Sequence, residues 1–427
     1  MVCINSEPQD FGAQSSIAAP DYGLMLLKDT CKIFSVFRER LERSKMTSHK
    51  PPLFYIVDWL PPDFGAVGQY GLLFAREFAE SGRHVYLIGL TTGASSLERE
   101  VYRSGGVLEI NRIHTPAYNK SRNIERLLWT FKTNFRLIRT VMGNPVSHSA
   151  DVLFTGAPPF MLFFALALKV LRKAHLTYRI TDFYPEVIIA DRGEPTLVLR
   201  LLEMVTWFLR RRVNTFEALG EDQRQILIRG GIPAPRISVK RDRSPITTSH
   251  GNHDCPPPSE LKGRMILLYS GNYGVAHDVD TVVHGLAYHH RNGSDRFGLW
   301  LNASGRNADA IVGQLVEEEV PFARSSPVPL NQLASLLAAA DVHLITLKPS
   351  FSGIVLPSKI YACIASKRPI LFVGPASSDV HLLCMQADGL LYARVDPGDH
   401  FGFARALERF ARVLRTNPIR FAMTSKP

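Results

Sequence analysis

The 427-residue sequence has no apolar stretch long enough to cross a bilayer. Its longest, around Phe160 to Leu168, falls far short of the roughly 20 residues that a spanning helix needs. The N-terminus lacks the basic-then-apolar pattern of a signal peptide. Only five cysteines occur (Cys3, Cys31, Cys255, Cys363 and Cys384), without a CxxC and without a Cys/His cluster at metal spacing. That argues against a disulfide framework or a zinc module, and free thiols in a reducing cytoplasm are the expectation. A dinucleotide GxGxxG and a P-loop are both missing. The 28 prolines and 30 glycines follow no period, which excludes collagen and simple repeats.

What remains is an ordinary globular mixture, 45% hydrophobic and 21% charged, long enough for two domains. The net charge of +11 is unevenly spread. Residues 1–250 hold 33 basic and 24 acidic side chains, whereas the rest is nearly balanced. The basic half is expected to meet an anion such as a phosphate or an acidic lipid surface. Its basic residues cluster at helix ends beside apolar runs, not among exposed aromatics, which speaks against nucleic acid.

Residues 1–50 are polar and poorly patterned, and Met46 stands just before the first convincing strand. They are expected to form a disordered extension. From residue 51, short apolar strands alternate with helical periodicity, the signature of βα units on a parallel sheet. The rhythm breaks in a stretch rich in Pro, Ser, Thr and His, with a linker expected at 246–263. It then restarts. The resulting domains are 51–245 and 264–400, with a last helix in 401–427 expected to pack back on the first domain. Two such domains leave a cleft between the carboxyl ends of two parallel sheets, where ligands bind.

The loop after the first strand of each half carries glycines, Gly65 and Gly68 in one and Gly271 and Gly274 in the other. Glycine allows close approach of backbone to ligand, and the following helix offers free N–H groups to an anion. The residues 341–375 hold more chemistry. A strand presents Lys348 at its carboxyl end, a loop with Ser352 and Gly353 follows, and a helix opens with Ser358 and Lys359. Two lysines, a small-residue loop and a helix start can hold a diphosphate. A capped helix with two solvated lysines fits the same residues.

Four segments, "ITDFYPE" at 180–186, "YSGNYGVAHDVDTV" at 269–282, "LAAADVHLITLKP" at 337–349 and "GIVLPSKIYACIASKRPILFVGP" at 353–375, carry a resemblance. Together and in order they resemble glycosyltransferases of the family 4 type with the GT-B fold, in the branch that builds bacterial surface polysaccharides and their lipid-linked precursors. The resemblance implies two Rossmann-like domains and retaining transfer from a nucleotide-diphosphate sugar, with no metal or other cofactor. It implies that Gly271, Asn272 and Gly274 approach the phosphates or sugar, with His277 lining the donor site. Lys348 then pairs with the diphosphate, and Gly353 with the Ser358/Lys359 helix start holds the ribose and phosphate side. The family's usual glutamate pair is missing. Ser352 and Ile360 stand at those places, or Ala362 in a variant spacing.

On the acceptor side, Asp182 and Glu186 follow a strand's carboxyl end and face the expected cleft. Residues 157–173 and 196–212 are apolar and end in basic clusters. They fit interior helices with basic last turns, or a face resting on anionic lipid. The second reading suits an enzyme on the inner face of the plasma membrane, acting on a polyprenyl-linked or glycan acceptor, with Lys120, Arg122 and Arg126 toward the acceptor's diphosphate. The alternatives are a non-catalytic GT-B relative that binds a nucleotide or partner, and a sugar-nucleotide epimerase of the same architecture.

Overall fold

The computed structural model describes residues 50–63, 65–116, 123–246, 255–305 and 307–416. The expected N-terminal extension, Lys120, Arg122, residues 247–254 of the expected linker and the last eleven residues lie outside them, as do the side chains of residues 123, 124 and 126.

The first half is built on eight strands in the order β3-β4-β2-β1-β5-β6-β7-β8. They are β1 Leu53–Trp59, β2 His84–Thr91, β3 Ser96–Val101, β4 Val107–His114, β5 Asp151–Thr155, β6 His175–Ile180, β7 Thr215–Ala218 and β8 Ile237–Val239. All pair in parallel except β3, which is antiparallel to β4 at the edge. The first five residues of β1 are buried, because helices cover both faces of the sheet. One covering layer contains α1 Ala66–Glu80, while α2 Asn123–Gly143 and α3 Met161–Arg172 pack together elsewhere on the half. The remaining helices are α4 Glu186–Arg192, α5 Leu197–Arg210 and α6 Glu221–Arg229. Thr196 starts α5 by accepting a bond from the Leu199 N–H at 3.3 Å, the side-chain cap expected at such a position.

The second half has six parallel strands in the order β11-β10-β9-β12-β13-β14. They are β9 Met265–Asn272, β10 Phe297–Ser304, β11 Phe322–Ser325, β12 Val342–Thr346, β13 Ile370–Val373 and β14 Tyr392–Val395. The helices are α7 Asp280–Asn292, α8 Ala308–Glu317, α9 Leu330–Ala338, α10 Lys359–Ala365, α11 Asp379–Gln386 and α12 His400–Thr416. In each sheet the central strand, β1 or β9, is flanked by strands whose connections leave in opposite directions. That arrangement opens a crevice at the carboxyl end.

Separate apolar clusters fill the two sides of each sheet. A further cluster joins the halves, with Leu219 of the first against Leu347, Phe351 and Leu356 of the second. Each fully buried side chain of this kind contributes roughly 1.5–3 kcal/mol.

The last helix departs from expectation. The described part of α12 lies on α7 in the second half, not on the first. Phe403, Leu407 and Phe410 are buried in that half's core. Gly285 of α7 permits the approach, since a Cβ there would fall 2.5 Å from the Phe403 ring.

Candidate active site

The carboxyl ends of the two sheets enclose a cavity of about 350 Å³, lined from both halves. Asp182, after β6, and Ala66 and Gln69, at the start of α1, form the first wall. Gly271, Asn272, His277, Ser358 and Lys359 form part of the second. Thus four sequence segments far apart in the chain converge where the fold predicts a ligand.

Lys359 is the most unusual group in the cavity. Its stem lines the wall while Nζ is buried, with no hydrogen-bond partner. The amine sits 3.2 Å from the centroid of the Tyr269 ring, where the ring's negative face attracts a cation. Burial pushes the amine down to about 7. Gly271 has φ +117°, a conformation that disfavours a side chain, and a Cβ there would lie 3.8 Å from the Lys359 amine.

His277 is held behind the same wall. Its Nδ1 lies 2.8 Å from the Thr346 carbonyl. The neutral tautomer with a proton on Nδ1 satisfies that carbonyl and leaves Nε2 as an acceptor. Burial lowers the imidazole to about 3, and the Lys359 and Lys348 charges push the same way. His277 therefore stays uncharged at neutral pH. Asp182 is pushed up to about 6 by burial.

Other expected residues sit elsewhere. Lys348 precedes the turn Pro349–Phe351, its N–H donates to the Ala276 carbonyl at 2.8 Å, and it does not line the cavity. Gly274 is a loop anchor whose carbonyl accepts from Asn307 Nδ2 at 3.1 Å. Gly65 and Gly68 pack α1 onto β1, since a Cβ on Gly68 would lie 1.8 Å from the Trp59 carbonyl oxygen. Arg126 falls on α2, with its side chain outside the described residues.

Three more expected residues lie outside the lining of the cavity. Gly353, expected at the ribose, instead abuts the first half: its φ is +74° and a Cβ would lie 2.7 Å from Ile226. Ser352 pairs its hydroxyl with Ser377 at 3.3 Å and does not line the cavity. Glu186, expected in the cleft, is buried in a two-pronged ion pair with Arg210, whose Nη2 donates to Oε2 at 2.9 Å. Arg210 also lies over the Phe183 and Trp207 rings, so this carboxylate anchors the loop behind the cleft.

Several cavity residues were not anticipated. Asn302 is buried on β10, donates to Ser325 Oγ at 2.9 Å and to the Ser326 carbonyl at 2.6 Å, and borders the cavity. A buried polar residue within an apolar strand is the signal that could have found it. Pro327, Val328 and Leu333 add an apolar wall beside it. Outside the lining, half-buried Asp58 near the end of β1 has one buried carboxylate oxygen without a partner, and its carboxyl is pushed up to about 7 by desolvation. A side chamber of about 120 Å³ shares Asp182 and Ser358 and reaches Arg179. That guanidinium is already paired with Glu217 at 2.8 Å and Asp242 at 2.6 Å, so it offers little free charge to an anion.

No family model matches the chain. The chain is similar to the probable glycosyltransferase WbjE of Pseudomonas aeruginosa, 21% identical over 315 residues, which cover 70% of this chain and 75% of that protein. Among solved structures, an α,α-trehalose-phosphate synthase from Burkholderia vietnamiensis superposes with a TM-score of 0.59 at 11% identity, over 88% of this chain and 94% of that one. Sucrose-phosphate synthase from Thermosynechococcus elongatus gives 0.58 at 13% identity, over 88% and 92%. Anabaena HepE, solved with UDP and glucose, gives 0.57 at 10% identity, over 88% and 93%. The architecture is therefore GT-B: two parallel-sheet α/β domains around a cleft.

Proposed function

We propose that the chain is a glycosyltransferase that moves a sugar, with retention, from a nucleotide-diphosphate sugar to a lipid-linked or polysaccharide acceptor in cell-surface glycan synthesis. The observation that carries this reading is the Lys359 amine, buried without a partner in the cavity wall of a GT-B fold. A buried ammonium without a counter-charge is unfavourable, and a diphosphate would supply one. As the glycosidic bond breaks, charge grows on the departing diphosphate, and a preorganised cation lowers that barrier. Lys348 adds positive field from behind His277. Gly271 and Asn272 border the phosphate position, Ser358 the ribose side, and Pro327, Val328 and Leu333 the base. The acceptor enters past Asp182. The neutralising charge comes from lysine, and the donor is substrate, not cofactor.

The acceptor side suits a membrane surface. Among the described residues no helix is long and apolar enough to span one. Yet α2, α3 and α5 expose Leu128, Phe135, Leu171, Leu201, Met204 and Phe208. Leaving out the buried Arg210, residues 123–143, 161–173 and 197–212 together hold ten Lys and Arg against two Glu. Such a face gains from anionic headgroups, about 1 kcal/mol per basic residue near the surface.

Release of nucleoside diphosphate from a panel of nucleotide-sugars, with and without membrane extract of the source organism, tests the reading. Extract-dependent release is the expected result. Binding without release under either condition favours the second reading, a non-catalytic nucleotide- or partner-binding relative. The position of Ile360 supports that alternative, since it is fully buried in apolar core where the family's carboxylate would stand.

A further inference from the structure

The exposed apolar face is not flat. Between α2, α3 and α5 it opens into a groove of about 360 Å³ lined by Leu127, Phe131, Phe160, Phe163, Phe164 and Leu202. Its wall is almost wholly carbon, with Phe131 edge-on to Phe164 at 5.0 Å. Phe131 is 63% exposed and Leu127 62%, an unfavourable state for large apolar side chains in water.

A chain of ring contacts runs from the groove to the loop that carries Asp182. Phe160 has φ +64°, an uncommon conformation for a bulky residue, just before the first turn of α3. Its ring touches Phe163 on the groove side at 6.0 Å and Tyr184 on the other at 6.1 Å. Tyr184 is two residues from Asp182, which borders the cavity. One loop layer therefore connects a hydrocarbon-lined groove to the acceptor wall of the site. Lys132, next to Phe131 on α2, is exposed, and Arg139 and Arg200 are exposed farther off on α2 and α5.

We infer that this groove holds the first part of the acceptor's isoprenoid chain, drawn out of the bilayer so that its phosphate-linked sugar reaches Asp182. The inference rests on the lipid-linked acceptor reading above and specifies where the lipid lies. Carbon lining matches the chain, the Lys132 ammonium beside Phe131 matches its phosphate, and the Phe160–Tyr184 contact with the loop that carries Asp182 sets the direction.

The test is calorimetric titration of the full chain with geranyl, farnesyl and geranylgeranyl phosphate below their micellar concentrations. Burying each methylene strengthens binding by roughly fourfold, so affinity should climb steeply along the series. It should do so with a negative heat-capacity change, which marks apolar burial. Phe131→Asp and Leu127→Asp, both at exposed positions, should flatten the series while leaving nucleotide binding intact. Met204→Asp, exposed on α5 on the side opposite Leu202, should leave it steep.

Equal affinity for all three probes with wild-type protein overturns the inference. So does an equal loss from Met204→Asp, which would mean adsorption over the whole face. A dimer that Phe131→Asp converts to monomer, with a flat series, assigns the face to a second copy and also overturns it. Transfer and groove remain separable. Extract-dependent nucleotide release with a flat series removes the groove alone. A steep series without release on any acceptor removes the transferase reading alone.

Discussion

Asp222 and Asp379 cap each other's helices across the boundary between the two halves. The Asp379 N–H, at the start of α11, donates to Asp222 Oδ2 at 3.0 Å, and the Glu221 N–H, at the start of α6, donates to Asp379 Oδ1 at 3.0 Å. Arg241 closes the clasp with two bonds of 2.9 Å to the Asp379 carboxylate. Asp379 is fully buried, whereas Arg241 is a third exposed. Asp379→Ala should therefore cost on the order of 2–4 kcal/mol, from the lost cap and the stranded groups around it. Arg241→Ala, softened by solvent, should cost about 1 kcal/mol or less. Urea midpoints of the two variants check this order, and equal losses would show that the clasp is a surface ion pair only.

Removing the amine of Lys359 should separate activity from stability. Lys359→Met keeps the stem that packs on Tyr269 but deletes the group meant for the diphosphate. Nucleoside diphosphate release should fall at least about tenfold, or roughly 1.4 kcal/mol of barrier. Stability should hold or rise, because a buried polar atom without a partner disappears. Lys348→Ala, farther from the cavity, should lower release less. Unchanged release by Lys359→Met, measured beside a melting curve, would remove Lys359 from the site.

The pH profile should be narrow. In the proposed reaction Asp182 serves the acceptor as a carboxylate, so activity should rise as pH climbs through about 6, its value in the folded protein. In the same proposed reaction Lys359 holds the diphosphate as an ammonium, so activity should fall as pH climbs through about 7. A plot of kcat/KM reads both groups in the free enzyme and should peak between them. Asp182→Asn should flatten the acid limb, and Lys359→Arg the alkaline limb, since a guanidinium stays protonated. A wild-type profile level from pH 5 to 9 would dissociate both groups from turnover.

The repeating strands were legible because buried parallel strands are continuous apolar runs. "LFYIVDW" at 53–59 and "DVHLITL" at 341–347 have little other reading, and both form central strands. Edge elements were not legible. β3 reads "SLEREV" and β4 "VLEINRIH", whose charged residues belong to a solvated edge pair. α2 went unnoticed because Leu127, Leu128, Phe131 and Phe135 face outward, against the usual inward stripe. Gly271 and Asn272 end β9, His277, Ser358, Lys359 and Asp182 lie in or after the loops beyond strand ends, and all six line the cavity. Ser352 and Gly353 share that position. Only tertiary packing turns one toward Ser377 and the other toward Ile226.

Glu186 shows the same limit from the other side, since nothing in "TDFYPE" announces its partner 24 residues on. Arg210 is fully buried, wedged under Phe183 and Trp207, and also donates to the Tyr184 carbonyl at 2.9 Å. Glu186→Gln strands that guanidinium in low dielectric, and breaking such a pair typically costs about 3–5 kcal/mol. The carboxylate does not touch the cavity, so its loss should not change the site's chemistry directly. The expected result is a lower urea midpoint, with the KM for donor unchanged in the fraction that remains folded. A variant as stable as the parent but unable to turn over would return Glu186 to the reacting centre. The double variant Glu186→Leu, Arg210→Met removes both charges at similar volume and should recover much of the lost stability, because no ion is then left buried alone.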